Sequence, residues 1–113
     1  MRDYAYVVRS AAVAGREDEY NKWYSEQHLQ DVIAVPGFLS AQRFRIVDGA
    51  AEGAPEQDYM AIYTMRTDDP DRLLTTLREL VETGKMYMSE ALDQQNLVTI
   101  LYESITPLIS VRD

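Results

Sequence analysis

The chain contains no cysteine, a single histidine, His28, and a single tryptophan, Trp23. Without cysteine there are no disulfides, thiolate nucleophiles or thiolate metal sites. One histidine leaves only carboxylate-rich metal sites, and no calcium-loop spacing is present, so no metal is expected. The five glycines are scattered, and none opens a strand-to-helix phosphate loop, so no nucleotide cofactor is expected either. Basic residues are scarce: 11 Lys and Arg stand against 19 Asp and Glu, a net charge of −8. Such a surface repels nucleic acid and anionic membranes. No apolar run approaches the ~20 residues of a membrane span. Tyr4, Tyr6 and Arg9 interrupt any apolar stretch near Met1, so no secretory leader is expected and a cytoplasmic protein is the default.

What is present is ordinary for a globular chain. The 113 residues, 46% hydrophobic and 27% charged, predict one domain spanning 1–113. Residues 3–9, DYAYVVR, are rich in Tyr and Val and predict a strand. Glu17, Asp18 and Glu19 then put negative charge at a helix start, and the helix runs to about Val35, where Pro36-Gly37 stops it. Residues 38–47 alternate, with Gln42, Phe44 and Ile46 on one face and Ala41, Arg43, Arg45 and Val47 on the other. The Gly-, Ala- and acid-rich stretch 48–58 is expected to be a mobile loop. A third strand is predicted over 58–66. Asp69 and Pro70 then serve as N-cap and first helical residue of a helix whose Leu73, Leu74, Leu77, Leu80 and Val81 form an apolar stripe. Residues 86–92 suggest a short extra turn or helix, and Met86 and Met88 beside Tyr87 are either a pocket flap or gap fillers. A fourth strand is predicted over 97–105.

The order strand, helix, strand, strand, helix, strand predicts a ferredoxin-like α+β fold, an antiparallel sheet with both helices on one face. Strand four is apolar on both sides, with Leu97 and Leu101 on one and Val98, Ile100 and Tyr102 on the other. A sheet wetted on one face should alternate cleanly with polar residues. Two helices cover one face only, so the other predicts a homodimer with sheets packed together. The tail from Ile105 onward is available to pack on a neighbour.

The chemistry concentrates in NKWYSEQHLQDVIAVPGF, residues 21–38. On a helix, Trp23, Tyr24, Gln27, His28 and Asp31 fall to one side. His28 is a candidate general base or acid, or else a locally bonded surface or interface residue. Asp31, one turn on, is either its orienting partner or a solvated carboxylate. Tyr24, one turn back, is placed to donate to a carbonyl or phenolate. Trp23 is either core or the wall of an aromatic pocket. Arg43 and Arg45 share a strand face: the alternatives are an oxyanion stabiliser or a solvated edge. The eight tyrosines are many for this length. Tyr4 with Tyr6, and Tyr59 with Tyr63, share strand faces and either line a ligand cavity or fill an interface.

Set in this βαββαβ order, the stretch WYSEQHLQDVIAVPGF resembles the dimeric α+β barrel superfamily, and within it EthD-like and REDY-like small proteins, the latter found with pigment and natural-product pathways. Members commonly carry Trp-Tyr, a His three or four residues on, an acidic residue and Pro-Gly-Phe, which here are Trp23, Tyr24, His28, Asp31, Pro36, Gly37 and Phe38. The superfamily includes cyclases, dehydratases, decarboxylases, isomerases, cofactor-free monooxygenases and members with no known reaction. The resemblance therefore implies the fold more firmly than the activity. Together with the residues it leads to a cofactor-free lyase- or isomerase-type enzyme that moves a proton on a small aromatic or polyketide-like carbonyl or phenol. His28, Asp31 and Tyr24 would be catalytic, and Trp23, Arg43, Tyr6, Tyr59 and Tyr63 would bind substrate. The alternative is a non-catalytic carrier or accessory dimer for an aromatic metabolite.

Overall fold

In the computed structural model, which describes residues 1–50 and 56–112, two strands rich in Tyr and apolar residues form the centre of the sheet. These are β1 (Arg2–Ser10) and β3 (Tyr59–Thr67), paired antiparallel with Tyr6 opposite Tyr63 and Val8 opposite Ala61. β2 (Phe38–Arg45) pairs with the outer side of β3, and β4 (Val98–Glu103) with the outer side of β1, giving the order β2-β3-β1-β4. All these pairings are antiparallel, so the architecture is the ferredoxin-like one that the element order predicts. The expected mobile loop falls partly on residues 51–55, which lie outside the described residues.

Alternation decides what each sheet face carries. Tyr6, Val8 and Ser10 of β1 and Ala61, Tyr63 and Met65 of β3 point to the helices, and most of them are buried. Val7, Met60, Ile62, Val98 and Ile100 point the other way, only half-buried, and stand outside the core cluster. Tyr102 and Phe44 on that same face are exposed, as are the apolar side chains of the irregular tail, Ile105, Leu108, Ile109 and Val111. Among the described residues, no helix is long and apolar enough to cross a membrane.

The helical layer has two parts. The first is a continuous run of α1 (Glu17–Trp23), a π-helical turn (Tyr24–His28) and α2 (Leu29–Ile33). The second is α3 (Pro70–Glu82), whose start is the predicted one: Pro70 opens the helix, and Asp69 accepts the Arg72 backbone N–H at 3.1 Å. Its stripe faces inward, with Leu73 buried and Leu74, Leu77, Leu80 and Val81 half-buried. Residues 86–92 form no helix. They run irregularly with buried Met86, Ser89, Ala91 and Leu92, and Leu92 bridges to Ala12. A short 3-10 turn, Gln94–Asn96, then leads into β4.

Gly37 joins the helical run to β2 and is required there twice over. Its φ is +111°, in the region that L side chains avoid, and a Cβ would sit 2.8 Å from Leu73 Cδ2. Its carbonyl also accepts the Arg66 backbone N–H at 2.8 Å, which ties the turn to β3. Replacing Gly37 by Ala should therefore destabilise the fold by roughly 1–3 kcal/mol. The expected readout is a lower urea midpoint with an unchanged slope; an unchanged midpoint would show that the turn relaxes freely.

Candidate active site

The π-helical turn sets the geometry of the aromatic cluster. Trp23 and His28 are five residues apart, which in a regular α-helix would offset them by roughly 140°. Here the wider i→i+5 turn stacks their rings, with centroids 4.6 Å apart and planes at 27°. Tyr24 meets the His28 ring edge-on at 5.0 Å. The indole Nε1 of Trp23 donates to the Tyr87 carbonyl at 3.3 Å, which anchors the stack to the irregular segment that follows α3.

These rings form one wall of a cavity of about 420 Å³ between the sheet and the helices. Tyr6 and Tyr63 of the sheet lie across from Trp23, Tyr24 and His28, and Leu74, Leu77 and Val81 of α3 close a third side. Tyr6 and Tyr63 also contact each other, at 6.2 Å between centroids. A mainly apolar cavity of this size with a few converging polar groups is the usual form of a small-molecule site.

Two polar features stand at the buried end. Tyr63 donates its hydroxyl proton to the Tyr24 oxygen at 3.1 Å, leaving the Tyr24 proton free for another acceptor. Burial raises the pKa of both phenols, Tyr24 to about 12 and Tyr63 further, so both stay protonated. The second feature is His28, only 8% exposed, whose Nδ1 is buried with no hydrogen-bond partner among the described residues. Burial pulls its pKa down from 6.5 to about 4; the Asp31 charge opposes the drop and Arg43 adds to it. The ring is therefore neutral at pH 7. With Nδ1 unbonded, no protein hydrogen bond there fixes its tautomer.

The predicted site residues divide into two sets. Tyr6, Trp23, Tyr24, His28 and Tyr63 come together around the cavity. Arg43, Tyr59 and Asp31 lie elsewhere. The Arg43 guanidinium sits over the rings of Tyr24, Tyr20 and Tyr59 at 4.5, 5.2 and 5.3 Å and donates to Ser25 Oγ at 2.7 Å and Asn21 Oδ1 at 2.9 Å. It is neither a cavity residue nor a free strand edge, because the aromatic faces and helix oxygens already satisfy it. Tyr59 accepts from Asn21 Nδ2 at 3.2 Å and packs on Tyr20, because its partner in the ladder is Ser10, two inward-facing pairs beyond Tyr6 and Tyr63. Asp31 makes no hydrogen bond to His28. It opens into a separate groove beside Pro36, Thr76 and Lys85 and acts on the imidazole only through its charge. Gln27, expected on the same helix side, is exposed.

Several lining residues were not singled out by the sequence as site residues. Leu74, Leu77 and Val81 belong to a stripe that reads as plain core, and Met88 lines the cavity while Met86 packs in the core. Arg78, Gln94 and Thr99 are exposed residues at the cavity rim, and each looks like an ordinary surface position in the sequence. Among the described residues, no group of three His, Asp or Glu side chains could hold a metal ion.

No protein-family model matches the chain, and no curated protein matches it in sequence. Solved structures do match it in fold. MhuD from Mycobacterium tuberculosis, a heme-degrader with two hemes bound in its active site, superposes with a TM-score of 0.64 at 16% identity, covering 93% of this chain and 98% of its own. SnoaB from Streptomyces nogalater, a cofactor-independent oxygenase crystallised as a mutant, has a TM-score of 0.59 at 15% identity over 97% of this chain and 100% of its own. An EthD family protein from Bacillus halodurans has a TM-score of 0.55 at 14% identity over 93% of this chain and 100% of its own. The chain shares the fold of these proteins.

The buried neutral imidazole makes stability depend on pH. Its folded pKa, about 4, lies below the unfolded value of 6.5. Between these values the unfolded chain binds a proton that the folded chain refuses, so this contribution is complete above pH 6.5 and is lost as pH falls towards 4. The full loss is on the order of 3 kcal/mol. Urea midpoints measured from pH 7 to pH 4 should fall more steeply for the native chain than for His28→Gln; parallel curves would show that the ring protonates freely in the folded state.

Proposed function

We propose that the protein is a cofactor-free enzyme that moves a proton on a small planar aromatic or polyketide-like molecule bearing a phenol or carbonyl. One observation carries the reading: an uncharged imidazole, unbonded at Nδ1, lines an aromatic cavity next to two paired phenols. A base must be unprotonated before it acts, and His28 is unprotonated at neutral pH. Its intrinsic basicity is low. An acidic substrate changes this, because proton transfer creates an imidazolium beside a phenolate or enolate, an ion pair strengthened by the low dielectric of the cavity. The Tyr24 hydroxyl, already accepting from Tyr63, is a polarised donor for the substrate oxygen as charge grows there. Trp23, Tyr6 and Tyr63 offer faces and edges to a planar ring.

The enolised molecule has several fates: cyclisation, dehydration, decarboxylation, isomerisation or reaction with dioxygen as co-substrate. The fold it shares with SnoaB, a cofactor-independent oxygenase, supports keeping the last among them. The second reading is a carrier that binds the same ligand without chemistry, favoured by the low basicity of His28. Asp31, Arg43 and Tyr59 support the site only indirectly in either reading.

The half-buried apolar outer sheet face supports a homodimer with sheets packed against each other. Val7, flanked in register by Ile62 and Ile100, would lie at its centre. Sedimentation should give a dimer for the native chain and a monomer for Val7→Lys; a native monomer would overturn the assembly. A cysteine-free chain asks nothing of an oxidising compartment, and we take the protein as cytoplasmic.

The enzyme and carrier readings separate on His28. Its ring protons, the only histidine signals in the chain, can be followed by NMR while phenols, quinones and β-keto compounds are titrated in, with product formation and oxygen uptake measured alongside. For any compound turned over, His28→Ala should cut turnover by roughly 100-fold or more while binding is retained. Full turnover in that variant would refute the base. Tight binding without turnover by either protein would leave the carrier.

A further inference from the structure

The cavity is chemically lopsided, and the asymmetry bears on what fits it. Its buried end is uncharged: the His28 imidazole is neutral, and Tyr24 and Tyr63 are protonated phenols. The rim residues Arg78, Gln94 and Thr99 are exposed. Among the described residues no aspartate or glutamate lines the cavity, although the chain carries 19 of them. Arg78 is the one cationic side chain along the described lining. It forms no ion pair or hydrogen bond among the described residues, although Glu82 lies one helical turn away. Four of the other eight arginines take partners: Arg2 pairs with Glu103, Arg16 with Glu19, Arg66 with Asp3 and Arg43 with helix oxygens. The side chains of Arg9, Arg45, Arg72 and Arg112 take none among the described residues either, so what distinguishes Arg78 is its place on the cavity lining.

The geometry points to a ligand that is itself polarised: a planar aromatic molecule with a phenol or carbonyl at its buried end and a carboxylate at its outer end, held by Arg78. An anion cannot lie inside, because desolvating a carboxylate among neutral groups is costly without a cationic partner. At the rim the same carboxylate stays partly hydrated, and the guanidinium fork can take it with two parallel hydrogen bonds. Gln94 and Thr99 supply further polar contacts on the same rim. The charge also sets direction, since it forces the uncharged end of the molecule towards His28 and the phenol pair. This inference rests on the cavity being the ligand site, and it names the substrate class and adds Arg78 as a specificity residue.

The test uses three probes on the intact protein: 6-hydroxy-2-naphthoic acid, its primary carboxamide, and 2-naphthol. Affinity is read by calorimetry and location by the His28 ring shifts. The acid should bind roughly fivefold more tightly than the amide at low salt, a preference that shrinks as salt rises. Arg78→Gln, an exposed substitution, should weaken acid binding and erase the preference, Arg78→Glu should reverse it, and 2-naphthol, which has no group to meet the rim, is the control for an intact cavity. If the native protein binds acid and amide equally, or Arg78→Gln keeps the preference, the carboxylate assignment is overturned and the cavity reading survives. If no probe binds, or binding leaves His28 unmoved, both are overturned.

Discussion

The pairing of β1 with β3 is the constraint on which the helix side of the molecule depends. Placing Tyr6 opposite Tyr63 puts Val8 and Ala61, then Ser10 and Tyr59, at successive positions on the same face. A slip of one residue would turn every one of these side chains to the opposite face. With the observed register, the two tyrosines that meet the helices at mid-sheet become the cavity floor, and Tyr59 is carried away to the Tyr20–Arg43 cluster. The outer face then receives Val7, Ile62 and Ile100, apolar groups that no described helix covers.

Above that floor, the helical run performs two tasks in one turn. Tyr20 is fully buried on α1 and shares its hydroxyl with Ser10. One turn later the backbone widens, and Trp23, Tyr24 and His28 converge on the cavity. The consequence is electrostatic as much as steric. Desolvation dominates the behaviour of all three polar groups at the buried end, keeping the imidazole neutral and both phenols protonated. The site holds its donors and acceptors uncharged until a ligand supplies charge. Arg43 sits outside this shell, with three tyrosine faces and three helix oxygens as its partners, and braces the cluster from behind.

Much of this was legible from residues alone, and for identifiable reasons. The β1 and β3 segments alternate Tyr and aliphatic residues at period two, and α3 carries both a strong N-cap and an apolar stripe. The local signals for these elements were therefore clear, whereas residues 86–92 stayed open between a turn and a helix. Trp23, Tyr24 and His28 were legible as a group because they are close in sequence. The rim was not. Arg78, Gln94 and Thr99 come from three different elements, and nothing local marks them as neighbours. Asp31 shows the opposite case: a three-residue spacing left open an orienting partner for His28 or a solvated carboxylate, and the side chain opens into another groove while its charge still reaches the ring.

The sequence by itself determined the order of elements, their α+β class, the helix stop at Pro36-Gly37 and the grouping of Trp23, Tyr24 and His28, because each rests on residues near one another along the chain. Only the tertiary structure decided the strand register, the π-helical widening that stacks Trp23 on His28, and the separation of Tyr6 and Tyr63 from Tyr59. It also decided the protonation state of the imidazole, since burial is a property of everything packed around a ring and not of its neighbours in sequence.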